Sequence, residues 1–182
     1  MNKMYLSYKD VENLVLEMGR EIALSTYRPD YIVGIGRGGL LPATLLSHFL
    51  KVPMHSLDVS FRDGTEQTSN AWMAEDAFGY IDENDRKDKK EASTGTGKNI
   101  LIVDDINDSG QTLQWIQDDW MSGCLPNNEV WDNIWGNNVR VLTLVNNEAS
   151  DFDDVDYAGI EINKAEDDVW VVFPIEEWWA KE

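Results

Sequence analysis

The apolar positions of this chain follow two rhythms, and each rhythm assigns a kind of element. Val11, Leu14, Val15, Met18 and Ile22 recur at helical spacing, and Ser7 with Asp10 three residues later resembles a capping box, so a helix begins there. Tyr31-Ile32-Val33-Gly34-Ile35 is a short, wholly apolar run of strand length. Beyond its glycines, Pro42 suits the first turn of a second helix that carries Leu45, Leu46, Phe49 and Leu50. Residues 54–60 alternate as a strand does. Ile100-Leu101-Ile102-Val103 is the clearest buried strand, residues 111–121 follow as a helix with Leu113, Ile116 and Trp120 inward, and residues 139–145 give a further strand. Apolar strands alternating with helices predict a parallel α/β sheet covered on both faces.

Two segments break the rhythm. Residues 62–99 are polar and rich in Asp, Glu, Lys, Gly, Ser and Thr, which predicts a long flexible loop or lid. Residues 122–138, with SGCLPNN and IWGNN, read as a turn-rich surface insertion.

Length and composition narrow the class. The 182 residues, 42% apolar and 27% charged, suit one soluble domain with a single core. The longest apolar stretch, around Tyr31 to Leu50, is broken by Gly36-Arg37-Gly38-Gly39 and Pro42, so no membrane span is expected, and MNKMYLSYKD lacks the apolar core of a secretory signal. Cys124 is the one cysteine, which excludes a disulfide framework and a cysteine-based metal site; a cytoplasmic setting is expected. The formal net charge of −19 repels polyphosphate backbones and argues against nucleic acid as a partner.

The chemistry concentrates in residues 99–112, NILIVDDINDSGQT. A buried strand ends in Asp104 and Asp105, and the loop Asp108-Ser109-Gly110-Gln111-Thr112 then opens a helix. On such sheets ligands bind beyond the carboxyl ends of strands. The loop's N–H groups and the helix start form an anion site, Ser109 and Thr112 add hydroxyls, and Gly110 permits close backbone approach. An acid pair alone is as well read as a helix cap. The whole string in register points to a phosphate at the loop and a metal-bound polyhydroxylated group at the carboxylates.

This string resembles the 5-phosphoribosyl 1-pyrophosphate signature of type I phosphoribosyltransferases, with Asn107 where an apolar residue is usual. The resemblance implies a twisted, mostly parallel sheet flanked by helices, with a small hood from the chain ends (about 160–182) and a long flexible loop, all within one domain over 1–182. It implies that Asp104 and Asp105 bind the ribose hydroxyls, directly or through Mg²⁺, with Asp168 as a further metal ligand. Asp108 to Thr112 would cradle the 5′-phosphate. Gly34-Ile35-Gly36-Arg37-Gly38-Gly39-Leu40 resembles the family's pyrophosphate loop, where Arg37 and Gly38 would hold pyrophosphate and a cis peptide is expected at Gly36–Arg37.

The base is narrowed by the same resemblance. Asp108 stands where 6-oxopurine enzymes carry an acid beside N7, and would act as the proton-handling catalytic residue. Asp168-Val169-Trp170-Val171-Val172-Phe173-Pro174 resembles the hood of xanthine–guanine enzymes, so Trp170 would stack on the base and Val171 would offer a carbonyl; a core or interface tryptophan is an equal reading of Trp170. The family's base-reading lysine follows the strand of Leu142 to Val145, but this chain has Asn146-Asn147 there, which gives Asn147 as the base contact and leaves a 6-amino base open.

The activity implied is transfer of the phosphoribosyl group from 5-phosphoribosyl 1-pyrophosphate to a purine of the guanine, xanthine or hypoxanthine type, with Mg²⁺, by a homodimer or homotetramer. Trp178 and Trp179 are candidates for its interface. The rival readings are an enzyme for another base and a non-catalytic regulator that senses 5-phosphoribosyl 1-pyrophosphate. Arg62, Lys87, Lys89, Lys90 and Lys98 are nearby cations without an assigned role. His48 and His55 read as structural or surface residues, and the run Asp151 to Asp156 as a solvated turn.

Overall fold

In the computed structural model, residues 2–59, 70–79, 97–124 and 129–180 are described. Helix α1 (Tyr8–Leu24) starts where the capping box predicts: the Ser7 hydroxyl accepts the Asp10 N–H at 3.1 Å, and the Asp10 carboxylate accepts the Ser7 N–H at 2.7 Å. Strand β1 (Asn2–Tyr5) precedes it, an element that its mixed polarity hid. Then follow β2 (Tyr31–Gly36), α2 (Leu40–Leu50), β3 (Met54–Asp58), α3 (Ala71–Phe78), β4 (Ile100–Asn107), α4 (Gln111–Gly123), β5 (Val139–Asn147), β6 (Tyr157–Ile162) and β7 (Val169–Val172).

Five strands form one parallel sheet in the order β3-β2-β4-β5-β6. Alternate residues serve opposite faces, as the two-residue period of a strand requires. Ile32, Leu101, Val103, Leu142 and Leu144 join Val11, Val15, Ile22 and Leu46 of α1 and α2. Val33, Ile35, Ile100, Ile102 and Val141 join residues of α3 and α4 on the other face. The predicted α/β sheet with two covered faces is therefore the fold. A second, two-stranded parallel sheet pairs β1 with β7, Met4 opposite Val171, and so ties residues 2–5 to residues 169–172.

Two expectations are corrected. The 62–99 segment is not all loop: α3 lies within it, with Met73, Ala74, Ala77 and Phe78 buried. Buried Asp76 accepts from the Tyr31 hydroxyl at 3.1 Å and pairs with Lys98 at 3.1 Å, which gives that cation a structural partner. The remainder of the expected lid, with Arg62, Lys87, Lys89 and Lys90, lies outside the described residues. The 122–138 segment is not wholly at the surface either. Its 3₁₀ turn (Glu129–Asn133) sinks Trp131 and Ile134 into the core, where Trp131 packs on Phe78 and donates its indole N–H to the Cys124 carbonyl at 3.0 Å. Apolar burial here prevailed over a turn-rich sequence.

Candidate active site

The strand order reverses direction between β2 and β4. From β2 the chain passes through α2 to β3 on one side; from β4 it passes through α4 to β5 on the other. The connections diverge beyond the carboxyl ends of these two neighbours and leave a crevice, the usual ligand position on an open α/β sheet. A cleft opens there, lined by Gly36 to Gly38, Asp104 to Leu113, Asp58 and the turn Ile175 to Trp179.

The β2 side is a tight turn. The Gly36–Arg37 peptide is cis, as the resemblance implies. The Gly39 N–H donates to the Ile35 carbonyl at 2.9 Å and Leu40 N–H to Arg37 carbonyl at 3.2 Å, so the turn runs straight into α2. Gly38 lies so close to the end of β4 that a Cβ built on it would run into the Asp105 carboxylate. A side chain there would displace that carboxylate, and the two turns bring exposed Arg37 and the acid pair to one cleft.

On the β4 side, Asp104 is buried and Asp105 half-buried. One oxygen of each accepts the next residue's N–H, Asp105 N–H to Asp104 at 2.9 Å and Ile106 N–H to Asp105 at 2.8 Å, which fixes both carboxylates. Gly110, at φ 87°, turns the chain into α4 without a side-chain cap. A side chain there would meet the Phe152 N–H at 2.5 Å and the Ser150 hydroxyl at 2.7 Å. Asp108 to Thr112 thus wrap the start of α4, whose N–H groups and dipole favour an anion. Asn107 is buried and bonded on both ends: it donates to Asn146 at 2.9 Å and the Phe152 carbonyl at 2.8 Å, and accepts from Ser150 at 2.9 Å. A polar tie between β4 and the 150–152 loop replaces the apolar residue expected there.

A smaller pocket joins the cleft at Asp108, lined by Ile106, Asp108, Lys164, Trp170, Val171, Phe173 and Glu176. Trp170 and Val171 are brought together with Asp108, as expected. Asn147 is not. It is buried, its amide donates to the Asp108 carbonyl at 2.9 Å, and its oxygen accepts the N–H groups of Lys164 at 3.0 Å and Ala149 at 3.2 Å. These bonds hold the side chain within the fold, outside the lining of that pocket. Asp168 also stands apart from both linings. It is exposed at the start of β7, where its carbonyl accepts the Asn2 N–H at 3.1 Å.

Lys164 is the residue that sequence reasoning missed. It follows β6, and its ammonium reaches Asp108 at 2.7 Å and lies 5.9 Å from the centroid of the Trp170 ring. The available signal was a lone lysine in an acidic stretch shortly before the hood segment. Asp58 and the Ile175–Trp179 turn were also not anticipated in the cleft lining.

Among the described residues no group of three or more His, Cys, Asp or Glu could enclose a metal. Two fixed carboxylates nonetheless suit Mg²⁺, which takes one or two protein carboxylates, keeps several waters and draws further oxygens from substrate phosphates.

Comparison with known proteins agrees with this geometry. The phosphoribosyl transferase domain family matches residues 2–177. A hypoxanthine-guanine phosphoribosyltransferase of Schizosaccharomyces pombe is 30% identical over 62% of this chain and 57% of its own length. The chain thus spans little more than half of that relative. Xanthine phosphoribosyltransferase 1 of Saccharomyces cerevisiae is 26% identical over the same shares. In structure, a purine phosphoribosyltransferase from Pyrococcus horikoshii superposes with a TM-score of 0.64 at 24% identity, covering 97% of this chain and 96% of that one, a likeness of fold. With an acid pair, the 108–112 loop and an arginine turn meeting at the sheet's switch point, and the family match running through all three, the chain belongs to the phosphoribosyl transferase domain family.

Proposed function

We propose that the protein transfers the 5-phosphoribosyl group from 5-phosphoribosyl 1-pyrophosphate to a 6-oxopurine, releasing pyrophosphate. The observation that carries the reading is the position of Asp108. Its backbone begins the anion loop, while its side chain faces the pocket of Trp170 and Lys164. One residue therefore borders both the loop proposed for phosphate and the aromatic side chain proposed for the base, as neighbouring subsites of a nucleotide require.

Asp104 and Asp105 hold the ribose hydroxyls, and the 108–112 loop holds the 5′-phosphate. Arg37 and the Gly38 backbone grip the pyrophosphate as it departs. Mg²⁺, held by Asp104 and Asp105, supplies charge neutralisation and orientation of the pyrophosphate when bound. Trp170 stacks on the base, and the Val171 carbonyl meets its exocyclic edge. Asp108 takes or shares the N7 proton as the opposite ring nitrogen attacks the anomeric carbon. Positioning provides most of the rate, since the protein forms no covalent bond. The same reading includes assembly as a homodimer or homotetramer, with the exposed Trp178 and Trp179 as candidate contacts.

The test is base-dependent pyrophosphate release with 5-phosphoribosyl 1-pyrophosphate and Mg²⁺ across guanine, xanthine, hypoxanthine, adenine, orotate and uracil. Release with an oxopurine, abolished in Asp104→Ala/Asp105→Ala, is expected. Asp108→Asn should lower turnover on the order of 100-fold or more while leaving 5-phosphoribosyl 1-pyrophosphate affinity nearly unchanged. Release only with adenine or a pyrimidine would overturn the base assignment. Silence with every base would overturn the activity.

A further inference from the structure

The loop assigned to the 5′-phosphate, Asp108-Ser109-Gly110-Gln111-Thr112, contains no lysine or arginine, and the chain around it carries a net charge of −19. A phosphate there is gripped by backbone N–H groups and hydroxyls, so the grip depends on how well those donors converge before the ligand arrives. The turn that follows β5 supplies that order, because consecutive residues leading into the loop are each bonded to it. Buried Asn107 donates to the Asn146 side-chain oxygen at 2.9 Å and to the Phe152 carbonyl at 2.8 Å, and accepts from the Ser150 hydroxyl at 2.9 Å. The Asp108 carbonyl accepts from the Asn147 amide at 2.9 Å, and the Ser109 carbonyl accepts the Asp151 N–H at 3.2 Å. Gly110 then lies so close to the same turn that a Cβ on it would meet the Phe152 nitrogen at 2.5 Å.

We propose that Asn107 is a positioning residue for the phosphate: through the 146–152 turn it holds the 108–112 loop in its anion-binding shape, an inference that rests on the phosphate assignment given above. An amide side chain offers two N–H donors and an accepting oxygen, and here both donors and the oxygen are engaged. The apolar residue that the resemblance leads one to expect would fill similar space and make none of these bonds. It would take from the Phe152 carbonyl a buried donor and from the Ser150 hydroxyl its acceptor. The turn that backs Ser109 and Gly110 would then shift, and the loop's N–H groups with it. Asn107 acts through this turn and not on the ligand, since its side chain is engaged inside the fold. The Arg37–Gly38 turn at the end of β2, proposed for pyrophosphate, receives none of these bonds, so the effect belongs to one half of the cleft.

Calorimetric titration of the full chain with ribose 5-phosphate and, separately, with pyrophosphate and Mg²⁺ tests this in the wild type, Asn107→Leu, Ser150→Ala and the double variant. Asn107→Leu should weaken ribose 5-phosphate on the order of 10-fold or more and Ser150→Ala about threefold, with pyrophosphate affinity kept within about twofold. The double variant should lose no more than Asn107→Leu alone, since both residues act through one network. Unchanged ribose 5-phosphate affinity in a folded Asn107→Leu would overturn the inference. So would additive losses in the double variant, or an equal loss of both ligands, the mark of a merely structural loosening of β4. Should Asn107→Leu fail to fold, Ser150→Ala decides, and unchanged ribose 5-phosphate affinity there overturns the inference. A wild type that binds pyrophosphate but no ribose 5-phosphate would instead sink the phosphate assignment, and the role of Asn107 with it.

Discussion

At the scale of single residues, function here depends on how closely backbone and side chains approach. Gly38 is the clearest case, since the atom that a Cβ would strike belongs to Asp105, one of the two carboxylates at the cleft. Gly38→Ala should therefore act on ligand more than on fold. We expect 5-phosphoribosyl 1-pyrophosphate affinity to fall at least about tenfold while the melting temperature moves by only a few degrees, because a carboxylate can swing where a packed core cannot. Calorimetric titration and thermal denaturation of the same preparation would check it; unchanged affinity would count against the Gly38–Asp105 contact. Asp104, Asp105 and the 108–112 loop were legible in the sequence because they are consecutive on one strand, loop and helix start. Lys164 was not, because only the parallel pairing of β5 with β6 brings the turn after β6 to Asp108.

At the scale of elements, the parts that sequence reading misjudged are short and held by others. Helix α3 has eight residues, too few to be stable alone, and its place depends on Met73, Ala74, Ala77 and Phe78 meeting the sheet. The 3₁₀ turn at Glu129–Asn133 depends likewise on Trp131, which is 1% exposed and closes the core against Phe78. Truncating it removes a large apolar body and leaves the Cys124 carbonyl without its indole donor. Trp131→Ala should cost about 3–5 kcal/mol of stability in urea denaturation. A loss under about 1 kcal/mol would return the 122–138 segment to the surface role its turn-rich sequence first implied. Long periodic elements such as α1 needed no such help: five apolar positions and a capping box define it within the chain itself.

At the scale of the whole molecule, charge and topology dominate. A net charge of −19 on a protein whose proposed substrate is a polyanion means that the site must reverse the surrounding field locally, through Arg37, the 108–112 amides and a bound cation. The same excess repels itself in the folded state. Raising salt from about 20 mM to about 0.5 M should therefore raise the melting temperature by several degrees, as screening shortens the reach of that repulsion. No change, or a fall, would mean that local ion pairs already balance the surface. The sequence by itself determined the α/β class, the acid pair, the anion loop and the arginine turn, because each is written in consecutive residues whose spacing fixes local geometry. Only the tertiary structure decided the rest. Strand order put β2 beside β4 and made one crevice of two motifs, β1 paired with β7, and Asn147 turned inward to bond Asp108 and Lys164. These depend on contacts between residues far apart in the chain, which no local pattern encodes.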